Sequence, residues 1–310
     1  PAFEPPAGIH PGEAGVLIDD RADLRDVSAM LIGLAVDGHL SIEEIDTADG
    51  LGDRVKQLFG PSTVDYQFVR QPSSTEGLSD AERLLLDAIF DAKHPEKRTL
   101  SSLENEFYRH LPALKSKLYG GLIAKGHYPH NPERTRGFYR FLGFGGLALG
   151  VMVGLYMQSL YVGLAVGVSG LIVLAFAPIM PRKTKAGVRA DEELLGLSEY
   201  IRRAEVDRIE FHDAPEKNPR LFETLLPYAI ALNLTSIWTR QFEGLLDRPP
   251  DWYVGTAPVF RASLFTAAML HLTSGMERTF VSAPRSASSG RSAWGGGSSF
   301  GGGFSGGGFG

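Results

Sequence analysis

The chain has 310 residues, no cysteine and a formal net charge of −5. Length admits two or three domains, and the missing cysteines exclude a disulfide framework, a thiol nucleophile and thiolate-held zinc. The first residue is Pro1, which predicts a processed chain or a fragment.

From Pro1 to Pro132 there are 21 acidic and 13 basic residues, so the early part carries the negative charge. Two stretches there echo each other, "LIGLAVDGHLSIEE" from Leu31 and "YGGLIAKGHYPHN" from Tyr119. Each is an apolar run that ends at a glycine, Gly38 or Gly126, followed by a histidine. Glycine suits the left-handed position just past a helix, so each copy predicts a helix running into a short strand. Asp23 is a suitable N-cap for the first helix, and "VDYQFV" (Val64 to Val69) alternates like a returning strand. Ser79 with Glu82 and Ser101 with Glu104 are capping-box pairs, which predict helices over Asp80 to Lys93 and Ser102 to Leu118. The order resembles a winged helix, possibly in tandem, with units at 1–75 and 76–136.

That order raises nucleic-acid binding, because winged helices insert a helix in the major groove. Asp19, Asp20, Asp23, Asp26, Asp37, Glu43, Glu44 and Asp46 argue against the first unit. Lys97 to Arg140 is more basic, with nine cations against three acids. It abuts an apolar stretch, however, where positive charge has its own explanation. A protein-interaction module is the favoured reading, and nucleic acid an unlikely partner.

No charged residue occurs between Arg140 and Arg182. This is about twice the length that one helix needs to cross a hydrocarbon core. The most polar point, Gln158-Ser159, divides the stretch into helices near Phe138 to Met157 and Leu160 to Ile179. They predict a two-span transmembrane hairpin at 137–181, with Tyr156 and Tyr161 at the far interface; a buried soluble hairpin is the competing reading. Arg134, Arg136 and Arg140 precede the stretch, and Arg182, Lys183 and Lys185 follow it, with Arg189 beyond. These cations determine topology and predict that both ends are cytoplasmic. Gly146, Gly150 and Gly154 repeat every fourth residue, as do Gly163 and Gly167, which suits close packing of helices in lipid. Glycine is also simply frequent in membrane helices. With no ionisable side chain inside the spans, a transport component has little support.

Beyond the stretch, 182–280 reads as a cytosolic helical bundle. Leu194, Leu197, Ile201 and Ala204 mark an amphipathic helix. Another helix should end near Leu226, with a new one starting at Pro227, and "RPPDWYVG" reads as a turn. Trp238, Trp252 and Tyr253 suit a core better than a pocket. The closing "GGGSSFGGGFSGGGFG" makes 281–310 a disordered tail, a spacer in which Phe300, Phe304 and Phe309 offer weak contacts. Arg285 and Arg291 lie outside its repeats, which speaks against RNA binding.

No phosphate loop, nucleophile elbow or HExxH is present, and His127 with His130 lacks a third zinc ligand. The chain is therefore expected to be no enzyme, and no catalytic, cofactor or metal residue is assigned.

The combination of "RDVSAMLIGLAVDGHLSI", the hairpin, "FETLLPYAIALNL", "WTRQF", "DWYVG" and the glycine-rich end resembles the YciQ-like predicted membrane proteins of bacteria. The resemblance extends over essentially the whole chain. It implies an exported β-rich domain and a first span preceding the portion seen here, and no catalytic residue. Relatives run through more glycines to a closing tryptophan, whereas this chain stops at Phe309-Gly310. The expected whole is a mainly α inner-membrane protein. It has a winged-helix-like α+β cytosolic region, a transmembrane hairpin and a cytosolic bundle, and its partners are the lipid bilayer and another protein or a second copy of itself.

Overall fold

The computed structural model describes residues 3–46, 64–203, 218–242, 245–246, 248–257 and 260–283. Ala204 and, from 284 on, the expected disordered tail lie outside them. The elements in chain order are α1 (Pro11–Asp19), α2 (Leu24–Val36), β1 (Leu40–Asp46), β2 (Val64–Arg70), α3 (Asp80–Ile89), β3 (Lys97–Thr99), α4 (Leu111–Ala124), α5 (Pro132–Tyr156), α6 (Leu160–Phe176), α7 (Lys185–Arg203), α8 (Pro219–Ala231), α9 (Thr235–Arg240), β4 (Tyr253–Val254) and α10 (Ala262–Val281). The chain is thus mostly helical, with one four-stranded sheet and two long apolar helices.

α2 is the centre. Its sequence is apolar on every side, so it has to be covered on every side, and every residue from Asp26 to Ala35 is buried. The Asp23 backbone N–H donates to Asp26 Oδ2 at 2.7 Å, fastening the first turn. α1, α3, α8 and α10 surround it. Two of these lie after the apolar helices in sequence, and the core runs unbroken from Ile9 to Phe280. Segments 1–75, 76–136 and 182–280 therefore contribute to one hydrophobic interior.

The sheet order is β3-β2-β1-β4. β1 and β2 pair antiparallel with Ile42 opposite Phe68, placing Leu40, Ile42, Tyr66 and Phe68 on the buried face. β4 adds parallel to β1, Ile42 opposite Tyr253. The stretch expected to be only a turn therefore holds an edge strand, because the Trp252 carbonyl finds the Ile42 N–H at 2.8 Å.

Three further expectations are corrected. After Gly126, whose φ is +78°, no strand forms: the Tyr128 ring is buried instead, its hydroxyl donating to Asp20 Oδ1. Ser101 does not start a long helix, because Asn105 turns left-handed at φ 62° and the Ser101 hydroxyl donates to Asp65. Only short 3₁₀ turns form there, and α4 begins at Leu111. Pro227 does not divide a helix but lies inside α8. A Cβ on Gly33 of α2 would sit 3.3 Å from Pro11 and 3.8 Å from Pro227. Pro227 is buried there against α2, packing that works against the roughly 3 kcal/mol an interior proline costs, and the break comes later, where Asn233 adopts φ 59°.

One buried ion pair ties α1 to α3. His10 Nδ1 lies 2.9 Å from Glu82 Oε1. The hydrogen bond that His10 donates to the Glu82 carboxylate raises the His10 pKa above 6.5. Burial works against the Glu82 carboxylate, but His10 and the Ser79 N–H together hold it below 4.5. Stability from His10 is full below 6.5 and is lost as pH rises through its folded value; that from Glu82 is full above 4.5 and is lost as pH falls through its folded value. His10→Gln should therefore lower the melting temperature at about pH 5.5 and much less at about pH 9. Equal losses at both pH values would show that the pair acts by shape alone.

Candidate functional site

α5 has 25 residues, and the second apolar stretch, Leu160–Ile179, has 20. At 1.5 Å per residue they are about 37 and 30 Å long. Only 11% of each apolar window is buried, so the described residues of this chain do not cover the hairpin as a soluble core would. Phe141 is 75% exposed, Tyr156 87% and Tyr161 86%, so a belt of large apolar side chains faces outward from both helices. Such a continuous surface marks contact with something other than water.

The two helices meet along a seam of glycines. A Cβ on Gly146 would lie 2.9 Å from Gly170 Cα, and one on Gly154 3.0 Å from Gly163 Cα. At Gly150 it would lie 2.6 Å from Gly167 N and 2.8 Å from the Gly163 carbonyl oxygen; at Gly163 it would lie 2.9 Å from the Gly150 oxygen. Gly167 faces open space with its own missing Cβ and enters the seam through its backbone. The fourfold spacing misses Gly143 and Gly170, although a Cβ on Gly170 would lie 2.7 Å from Leu147 N. The signal was present: each stands three residues from a seam glycine, and steps of three share a helix face as steps of four do.

The six flanking cations divide into two groups. Arg134, Arg140, Arg182 and Lys185 are exposed. Arg136 is buried, with Nη1 donating to the Asp20 carbonyl at 2.8 Å and Nε to the Pro178 carbonyl at 3.3 Å. It bolts the start of α5 and the end of the second apolar stretch to the end of α1. Lys183 lies 2.8 Å from Asp191 and 3.7 Å from Asp20. Burial, and then the bond to Asp20, pushes the Tyr128 hydroxyl pKa upward, so it stays a donor. Asp20 adopts φ 62° and is the knot in which Arg136, Lys183 and Tyr128 converge. Thr184 completes the junction: its hydroxyl donates to the Gly126 carbonyl at 2.6 Å and accepts from the Gly187 N–H at 3.0 Å.

Against the buried face of the sheet, β1, β2, β4 and α10 line a cavity of about 520 Å³. Val64, Phe260, Leu264 and Phe265 make its apolar wall. Glu44 accepts from the Tyr253 hydroxyl at 2.5 Å and from the Thr256 N–H and hydroxyl at 2.9 and 3.0 Å. Tyr66 donates to the Ala268 carbonyl at 3.1 Å, with His271 Nδ1 3.2 Å away. The carboxylate therefore acts as a fastener for the β4 loop. Trp238 is fully buried and donates to the Phe222 carbonyl at 3.1 Å; Trp252 donates to Glu223 at 3.2 Å. His127 is half-buried and His130 exposed, and no group of three or more metal-capable side chains gathers among the described residues.

A family model described as "Predicted membrane protein (DUF2207) C-terminal domain" matches residues 1–242. Neither the curated proteins nor the solved structures hold a match.

Proposed function

The chain belongs to the DUF2207 family of predicted membrane proteins, and from that premise we propose that it is a two-pass protein of the bacterial inner membrane whose cytoplasmic domain is a scaffold for another protein. One observation carries the topology. β4 pairs with β1, and α8 and α10 pack on α2, so residues before α5 and after α6 share a core. Both flanks must then lie on one side of the membrane, which requires an even number of crossings between them. The flanking cations support the reading that this side is the cytoplasm.

The scaffold reading rests on what the domain offers. In the cavity beside the sheet, Glu44, Tyr66 and Tyr253 are all engaged in hydrogen bonds among the described residues. The nucleic-acid alternative is less well supported, because α2 is wrapped on all sides and cannot enter a groove. Arg98, Lys117, Lys125 and Arg136, four of the cations between Lys97 and Arg140, are bonded within the chain. A transport role finds no charged residue between Arg140 and Arg182 to support it.

A reporter fused at Gln158 should read periplasmic and one at Gly187 cytoplasmic; the opposite pattern overturns the orientation. Crosslinking in cells should enrich one protein repeatedly with the full chain. Repeated crosslinking without an enriched protein, together with steep, salt-sensitive retention on DNA, would favour the regulator alternative.

A further inference from the structure

A second cavity, of about 460 Å³, lies where the domain meets the apolar helices, between the loop before α1 and the first two turns of α7. Lys185, Arg189, Glu193 and His127 are its ionisable lining. Lys183, two residues before Lys185, is spent on Asp191 and Asp20; Lys185 and Arg189 have no carboxylate partner among the described residues. They stand one helical turn apart on one face of α7, and both line the cavity and are exposed. His127 Nδ1 is buried and has no hydrogen-bond partner among the described residues, a polar group whose partner is still to be found.

The geometry is fixed rather than incidental. Thr184 N donates to the His127 carbonyl at 3.0 Å, and a Cβ on Gly187 would overlap that same carbonyl. The start of α7 is thereby held against the His127 backbone. Glu193 also lines the cavity and is exposed, as the two cations are, so the lining carries two cations against one carboxylate. Lys185 follows the end of the second apolar stretch, Ile179, by six positions.

We propose that this cavity binds a phosphate-bearing anion, held by Lys185 and Arg189 with the His127 ring as a third contact. Two sources share that chemistry, the phosphodiester of an anionic lipid and a free phosphate ester. The lipid source rests on the membrane reading above; the phosphate chemistry does not.

The test uses the full chain in neutral detergent, titrated with phosphatidylglycerol, phosphatidylcholine and glycerol 1-phosphate while its thermal unfolding is followed. Saturable stabilisation by phosphatidylglycerol alone assigns the lipid source, and stabilisation by glycerol 1-phosphate assigns the free ester. Lys185→Gln with Arg189→Gln should weaken either response about ten- to a hundredfold, as expected for losing two charged hydrogen bonds. Arg140→Gln with Arg182→Gln removes the same charge from the same side of the chain outside the cavity and should change it little. The proposal is overturned if neither ligand stabilises beyond phosphatidylcholine, or if both double variants lose the response equally. A reporter result against the membrane topology would remove the lipid source and leave the glycerol 1-phosphate arm standing.

Discussion

Gly150→Leu will split α5 from α6. The new side chain has to pass through the Gly167 amide and the Gly163 carbonyl, where a Cβ alone would stand 2.6 and 2.8 Å away. Backbone cannot yield as the end of a flexible side chain can, so the helices must separate, at a cost of at least about 1–3 kcal/mol by analogy with overpacked cores. The close approach that small residues allow in lipid is lost along the whole seam. Gly145→Leu is the matched control, because a Cβ there meets nothing within 4 Å. Titration of the protein from mild micelles into dodecyl sulfate should move the unfolding midpoint sharply for Gly150→Leu and little for Gly145→Leu. Coincident midpoints would mean that the seam does not hold the pair together.

Arg136→Met should cost about 2–4 kcal/mol, since two buried carbonyls, those of Asp20 and Pro178, lose a charged donor and gain no water. Arg134→Met removes the same charge from the exposed face of the same helix and should be nearly neutral. Arg136→Lys should recover only part of the loss, because a single ammonium cannot copy the spread of the guanidinium donors. Trp238 and Trp252 are buried in the domain, and their fluorescence reports its melting directly. If Arg134→Met and Arg136→Met melt together, the junction is not fastened by this residue.

What could be read from the sequence followed from local physics. The first echo carried its own instructions: Asp23 as cap, a long apolar run, Gly38 for the left-handed turn, then alternation into β1. The apolar stretch announced its length and its dividing point at Gln158-Ser159 in the same way. The second echo misled because its local pattern is the same, yet Tyr128 is drawn from a strand position into the core by burial and by Asp20. Pro227 misled for a similar reason, since a proline's cost is local but its compensation, contact above Gly33, comes from a helix some two hundred residues away. The junction was hidden for an electrostatic reason. Arg136 and Arg134 look alike in a row of cations, and only the fold shows that one is exposed while the other is buried against the Asp20 and Pro178 carbonyls.

The parallel pairing of β4 with β1 has a consequence for synthesis. Ile42 leaves the ribosome about 200 residues before Tyr253, and between them the chain must form the two long apolar helices. Until that is done, α2 has neither α8 nor α10 to cover it, and its apolar surface remains a ready target for chaperones and proteases. On the two-pass reading proposed above, completion of the domain would require both helices to be inserted correctly: a copy with one helix left out or reversed would strand half of its core on the wrong side.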